Sequence, residues 1–185
     1  MTLTIMATEN CKLSICLPTY NRVQYLRLTL NHLLRELRQV SITYEIIVLD
    51  GGSDDGTLEY LYGLGNVKIL GGGLTNTCKA YRELFDKARG DYVLHMTDKQ
   101  LINLKTIVTT CTIMDSNPEF GEMFCKFSVF KSKEPFKVPN YKSMAAGILI
   151  GDICLFRRDD ALKFWSTDFG RGGCNMDFHL KLLCS

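Results

Sequence analysis

The sequence predicts an α/β layer fold with a central, mostly parallel β-sheet flanked by helices. Two short apolar runs, Lys12 to Leu17 and Tyr44 to Leu49, lack the alternation of a half-exposed strand and end at Pro18 and at Asp50-Gly51-Gly52. Such runs are strands buried on both faces. Between them Val23, Leu26, Leu30, Leu33, Leu34 and Leu37 recur at helical spacing, with Gln24, Arg27, Asn31, Arg35 and Arg38 opposite. The strand–helix order then repeats, as crossover connections between parallel strands require.

The elements follow in order. A short helix is expected from Thr57 to Tyr62, a strand at Val67 to Leu70, a helix with Ala80, Tyr81, Leu84, Phe85 and Ala88 inward, and a strand from Asp91 to Met96. A further helix turns Leu104, Ile107, Val108 and Cys111 inward and stops at Ser116-Asn117-Pro118, because proline disfavours helical geometry in the residue before it. The second half changes character. Glu122 to Phe130 reads as one strand, Lys131 to Asn140 as a polar loop with Pro135 and Pro139, and Ala145 to Phe156 as an apolar stretch containing Gly147 and Gly151. A helix is expected to follow Asp159-Asp160, then a glycine-rich loop from Phe169 to Cys174 and an amphipathic segment from Asp177 to Leu183. The sequence ends inside that pattern, which fits a truncated C-terminus.

The 185 residues, 46% hydrophobic and 23% charged, suit one domain with its own core. A net charge of +2 without any basic run disfavours nucleic acid as a partner. The opening MTLTIMATENCK has no basic n-region or long apolar h-region, and no stretch nears the roughly 20 apolar residues of a membrane span, so neither secretion nor a membrane span is expected. The eight cysteines form no CxxC pair and mostly sit in apolar runs. They read as small buried hydrophobes in a reducing, cytoplasmic setting.

Four segments stand at strand ends or helix starts, where a doubly wound sheet places its ligand. They are Pro18-Thr19-Tyr20-Asn21-Arg22, Asp50-Gly51-Gly52-Ser53-Asp54-Asp55-Gly56-Thr57, Thr97-Asp98-Lys99-Gln100 and Gly172-Gly173-Cys174-Asn175-Met176-Asp177. Singly, each has a plain reading: a strand-to-helix turn, or a loop whose Ser53 or Asp54 caps the next helix. In order, LSICLPTYNR, EIIVLDGGSDDGT and ARGDYVLHMTD resemble the family 2 glycosyltransferases, and GILIGDICLFRRDDALKFW with GGCNMDFHLKLL resembles their acceptor region. The resemblance spans nearly the whole chain and is weakest between Gly121 and Ala145.

That resemblance implies a GT-A (nucleotide-diphospho-sugar transferase) fold over residues 1–185, with 1–116 as the nucleotide-sugar half and 117–185 as the acceptor half. It implies an inverting transfer from a nucleotide-diphosphate sugar to a hydroxyl of a glycan or lipid-linked acceptor. Pro18, Thr19 and Tyr20 against Asp50 and Ser53 would clamp base and ribose, and Arg22 could reach a phosphate. The family's usual uracil contact falls on Gly51, so the base must be read by Asp50 or by backbone. Where family members hold a divalent cation through an Asp-x-Asp-like element, this chain has Thr97-Asp98-Lys99. Either Asp98 binds Mn²⁺ or Mg²⁺ together with the diphosphate and water, or Lys99 takes over part of the cation's work. The family's base position falls on Asp177, which would take the acceptor's hydroxyl proton; its plain reading is a cap near the positive end of the last helix.

Other residues carry weaker expectations. His32 is expected exposed, His95 in a sheet, His179 near the acceptor, and Trp165 either on a sugar ring or in the core. Gly71-Gly72-Gly73 lacks the lysine spacing of a P-loop. Two rivals remain: a module that binds a nucleotide sugar without turning it over, and a nucleotidyltransferase, against which the missing glycine-rich basic loop after the first strand counts.

Overall fold

The computed structural model describes residues 10–73, 76–125, 127–129 and 153–167. The elements are β1 (Leu13–Thr19), α1 (Val23–Leu37), β2 (Tyr44–Asp50), α2 (Thr57–Leu64), β3 (Lys68–Gly71), α3 (Thr77–Lys87), β4 (Tyr92–His95), β5 (Gln100–Ile102), α4 (Leu104–Ser116), β6 (Glu122–Cys125), β7 (Phe127–Val129), β8 (Ile153–Arg157) and α5 (Arg158–Phe164). The main sheet runs β3-β2-β1-β4-β8-β6. Its first four strands are parallel, and β8 is antiparallel to both β4 and β6.

Two apolar layers sandwich this sheet. Leu13, Ile15 and Leu17 of β1 pack with Leu26, Leu30 and Leu33 of α1 and with Leu104, Ile107 and Met114 of α4. Cys16 lies in the opposite layer with Ile47 and Leu49 of β2, Tyr81, Leu84 and Phe85 of α3, and Phe156 and Trp165 beyond. Strands enclosed in this way bury both sets of alternating side chains, which is why β1 and β2 read as continuous apolar runs.

Several expectations shift. β1 continues through Pro18 to Thr19. The Cys16 carbonyl bonds Met96 N on the β4 side, and Pro18, two residues on, faces that same side beyond the end of β4. Its missing N–H cannot extend the ladder to the Met96 carbonyl, which accepts from the Tyr81 hydroxyl instead. The expected single strand from 122 to 130 is two: β6 joins the main sheet, while β7 pairs with β5 in a small separate sheet. β5 was not expected. Three residues with one polar member give too little periodicity, and Thr97 N bonding the Gln100 side-chain Oε1 at 2.6 Å forms the turn that starts it. His32 is not simply exposed. Its Nε2 donates to Ile102 O at 2.7 Å, while Nδ1 accepts from Arg35, tying α1 to β5. Trp165 is a core residue that donates from Nε1 to Cys78 O, and His95 lies buried against the Tyr81 ring in β4. Cys11, Cys16, Cys111 and Cys154 are buried thiols outside any disulfide, as expected, whereas Cys78 is disulfide-bonded and departs from that expectation.

At the end of the sheet remote from the strands' carboxyl termini, Glu45 accepts from the Ser14 hydroxyl, Arg89 N and Arg89 Nε, and Gly90 N donates to Ser14 Oγ. Gly90 lies against the β1 backbone so closely that an added Cβ would stand 2.6 Å from Ser14 N and 2.9 Å from Leu13 C. Gly90→Ala is therefore expected to lower stability by about 1–3 kcal/mol in urea unfolding, because backbone on both sides must shift; a loss below about 0.5 kcal/mol would contradict the packing described.

On the α4 side, Lys12 Nζ bonds Asp91 and Asp115, and Tyr92 donates its hydroxyl to Asp115. The Lys12 hydrogen bond outweighs the opposing effect of burial and, with the Tyr92 hydroxyl and the Lys12 and Arg157 charges, holds the Asp115 carboxyl below its ordinary 3.8. A depressed carboxyl pKa gives stability that is present above the ordinary value and lost as pH falls through the folded one. Asp115→Asn should thus flatten the stability-versus-pH curve below pH ~4; an unchanged acid limb would show that the pair contributes nothing.

Candidate functional site

The strand order reverses between β1 and β4: the chain winds β1-β2-β3 in one direction, then returns to the other side of β1. In such sheets a crevice opens at the carboxyl ends of the two strands flanking that point. Thr19 closes β1 and Asp98 follows β4, so the first and third segments singled out from the sequence meet there.

Asp98 is the centre of that meeting. Its side chain is 3% exposed, and both oxygens are engaged. Oδ2 accepts from the buried Thr19 hydroxyl at 3.0 Å, and Oδ1 from Arg22 Nη1 at 3.3 Å. The Asp98 carbonyl also accepts from the Thr29 hydroxyl of α1 at 2.9 Å. Burial pushes the Asp98 carboxyl above its ordinary value, opposed by the Arg22 charge, the Thr19 hydroxyl and Lys99. Lys99 itself is exposed beside it. Thr29 was legible in principle: it is a polar residue on the buried face of an otherwise apolar helix stripe.

The second segment is laced to the first. Asp50 is 1% exposed and accepts from Gly52 N, Ser53 N and the Ser53 hydroxyl, so its carboxylate fastens its own loop. Ser53 Oγ accepts from Asn21 N at 2.8 Å, and Asn21 Oδ1 accepts from Asp54 N at 2.9 Å. Asn21 has φ +50°, a left-handed conformation that asparagine tolerates better than most residues. Asp55 accepts from Val23 N at the start of α1 and from both the amide and hydroxyl of Thr57 at the start of α2. Burial would raise the Asp55 carboxyl, but the Thr57 hydroxyl and the Val23 and Thr57 amides outweigh it and hold the group below its ordinary value. The sequence expectation gave the capping role to Ser53 or Asp54; Asp55 performs it, for two helices at once.

Tyr20 projects beside this lattice, 54% exposed, and Pro18 is half-buried under it in sequence. The structure thus brings Pro18, Thr19, Tyr20, Arg22, Asp50, Ser53, Asp98 and Lys99 to one edge of the sheet. Asp177 and His179 lie outside the described residues.

Residues 14–98, which supply every one of those positions up to Asp98, match Glycosyl transferase family 2. This segment belongs to that family. Among solved structures the chain is similar to S. aureus TarS 1-349, with a TM-score of 0.70 at 19% identity over 92% of this chain and 55% of that one. It is also similar to the mannosyltransferase PcManGT from Pyrobaculum calidifontis in complex with GDP-Man and Mn²⁺, with a TM-score of 0.67 at 15% identity over 95% of this chain and 52% of that one. A third is glucosyl-3-phosphoglycerate synthase from Mycobacterium tuberculosis with Mn²⁺, UDP and glucosyl-3-phosphoglycerate, at a TM-score of 0.64 and 16% identity over 94% of this chain and 66% of that one. The chain spans about half the length of the first two. The family 2 segment has the GT-A fold of these proteins, as its sequence predicts. No helix among the described residues is long and apolar enough to cross a membrane.

A divalent cation suits the donor set only in one form. Among the described residues no group of three or more His, Cys, Asp or Glu could hold an ion. A single carboxylate fits a cation that completes its shell with substrate phosphates and water, a common arrangement for Mg²⁺. Asp98 supplies that carboxylate, and Oδ1, on the side of the half-exposed Arg22, is the oxygen a cation would approach.

Removing the shared cap should be felt in both helices. Asp55→Ala is expected to cost roughly 1–3 kcal/mol of stability, on the order of one cap for each helix, measured by urea unfolding. A loss no larger than that of Asp54→Ala would contradict the bridging role.

Proposed function

We propose that this chain transfers a sugar from a nucleotide-diphosphate donor to a hydroxyl acceptor with inversion. The observation that carries the reading is the meeting of Thr19, Arg22 and Asp98 at the carboxyl ends of β1 and β4, inside the segment that belongs to the family. It is further supported by the ligands of similar structures: UDP-GlcNAc in TarS, GDP-Man and Mn²⁺ in PcManGT, UDP and Mn²⁺ in the synthase.

In this reading residues 1–116 hold the donor and 117–185 the acceptor, a glycan or lipid-linked hydroxyl. Tyr20 offers an exposed ring face to the base, with Pro18 and Thr19 beneath the nucleoside. Asp50 is committed to Ser53 and to loop amides, so it shapes the loop while backbone groups near Gly51 meet the base edge. Arg22 and Lys99 place positive charge where the diphosphate leaves, and preorganised charge of this kind lowers the barrier without reorganisation at the moment of transfer. A Mn²⁺ or Mg²⁺ ion on Asp98, when bound, would neutralise charge on the departing diphosphate.

The bond from the anomeric carbon to the diphosphate oxygen breaks as the acceptor oxygen bonds from the opposite face, and Asp177 takes the acceptor's proton. Asp177→Asn is expected to retain the thermal shift produced by a nucleoside diphosphate while lowering turnover about 100-fold or more; near wild-type turnover would remove Asp177 from the role of base.

A second reading is a module that binds a nucleotide sugar without turning it over, favoured by the lone carboxylate at the cation position. A panel of UDP, GDP, dTDP and CMP with their sugars separates the two. Binding that raises Tm by mass action with sugar release from one donor is expected for the enzyme, and binding without release or transfer for the module.

A further inference from the structure

We infer that Arg22 occupies the cation's place on Asp98 in the empty protein and yields it when a nucleoside diphosphate arrives, so that divalent-cation binding is conditional on the nucleotide. This rests on the donor-binding reading above and goes beyond it by assigning an order of events and the residue that imposes it.

The two oxygens of Asp98 are not equivalent. Oδ2 is held by Thr19, which is 2% exposed and lies within the sheet edge, so nothing can approach it without displacing a buried hydroxyl. Oδ1 is covered by the Arg22 guanidinium, whose side chain is 50% exposed against 3% for Asp98. One half-exposed, water-facing group thus shields a buried acceptor. Among the described residues the guanidinium has no other partner: it has no acceptor with which to cap α1, and Asp55 takes the Val23 N–H.

A dication and a guanidinium compete for Oδ1, since like charges at that separation repel each other. A cation alone must therefore expel Arg22 into water and forfeit its ion pair. With a diphosphate present, the guanidinium gains a better partner, because its planar fork matches phosphate oxygens. The diphosphate also supplies the ligands that a lone carboxylate lacks. Ion and nucleotide should accordingly strengthen one another's binding by the same factor, as linkage demands. Lys99 adds positive charge nearby but has no bond to Asp98, so it should weaken the ion generally without gating it.

The test is Mn²⁺ binding to the full chain, read from the free-ion electron paramagnetic resonance signal, with and without UDP or GDP. Wild type is expected to bind Mn²⁺ weakly alone and about tenfold or more tightly with the nucleotide that raises its Tm. Arg22→Gln should bind Mn²⁺ alone about tenfold more tightly than wild type and lose most of the nucleotide's enhancement. Lys99→Gln should shift both affinities slightly and keep the enhancement, and Asp98→Asn should abolish binding in each state.

Unchanged or weaker Mn²⁺ binding by Arg22→Gln without nucleotide would overturn the inference, as would an equal gain in Lys99→Gln. If the nucleotide still raises Tm in those proteins, only the role of Arg22 falls. If no nucleotide raises Tm in any variant, with or without Mn²⁺, the donor-binding reading falls with it.

Discussion

The central strand sets the terms for the rest of the molecule. β1 pairs with β2 along its whole length and with β4 along its first residues, and both its faces are buried. Where β4 stops, β1 runs on to Pro18 and Thr19, leaving a strand end with a partner on one side only. That difference in length opens the crevice. Proline can stand there because the Met96 carbonyl that would need its N–H accepts from the Tyr81 hydroxyl, and Thr19 turns its hydroxyl to Asp98.

A buried carboxylate must be satisfied, and Asp98 is satisfied only by groups from elsewhere in the chain: Thr19 and Arg22 from the first crossover, with Thr29 holding its carbonyl. The adjoining loop works by the same economy. Asp50 and Asp55 spend their oxygens on loop amides, hydroxyls and helix starts, and Asn21 and Ser53 link the two loops. The result is a lattice of polar contacts on a rigid sheet edge, with Tyr20 and Lys99 projecting from it.

Cation chemistry is the point at which this chain departs most from an acid-rich design. Among the described residues one carboxylate, that of Asp98, lies between the Arg22 and Lys99 cations, while Asp50 is turned to its own loop. Whichever cation neutralises the leaving group, the anion and the protein's charges must be considered together.

The layer order and most helix faces were legible in the sequence because apolar periodicity reports burial directly: Leu26, Leu30 and Leu33, or Tyr81, Leu84 and Phe85, need no tertiary information to be placed inward. So were the strand-end segments, since turn residues between an apolar run and a helix mark the ligand edge of a parallel sheet. β5 and the split between β6 and β7 were not, because three-residue strands exist through pairing with distant partners and carry no period of their own. Nor did the sequence decide that Asp50 faces its own loop, that Asp55 caps two helices, or that Arg22 lies on Asp98 across 76 positions of chain. A side chain's chemistry is written in its residue type, but which of several possible partners it takes depends on distances that only the folded chain creates.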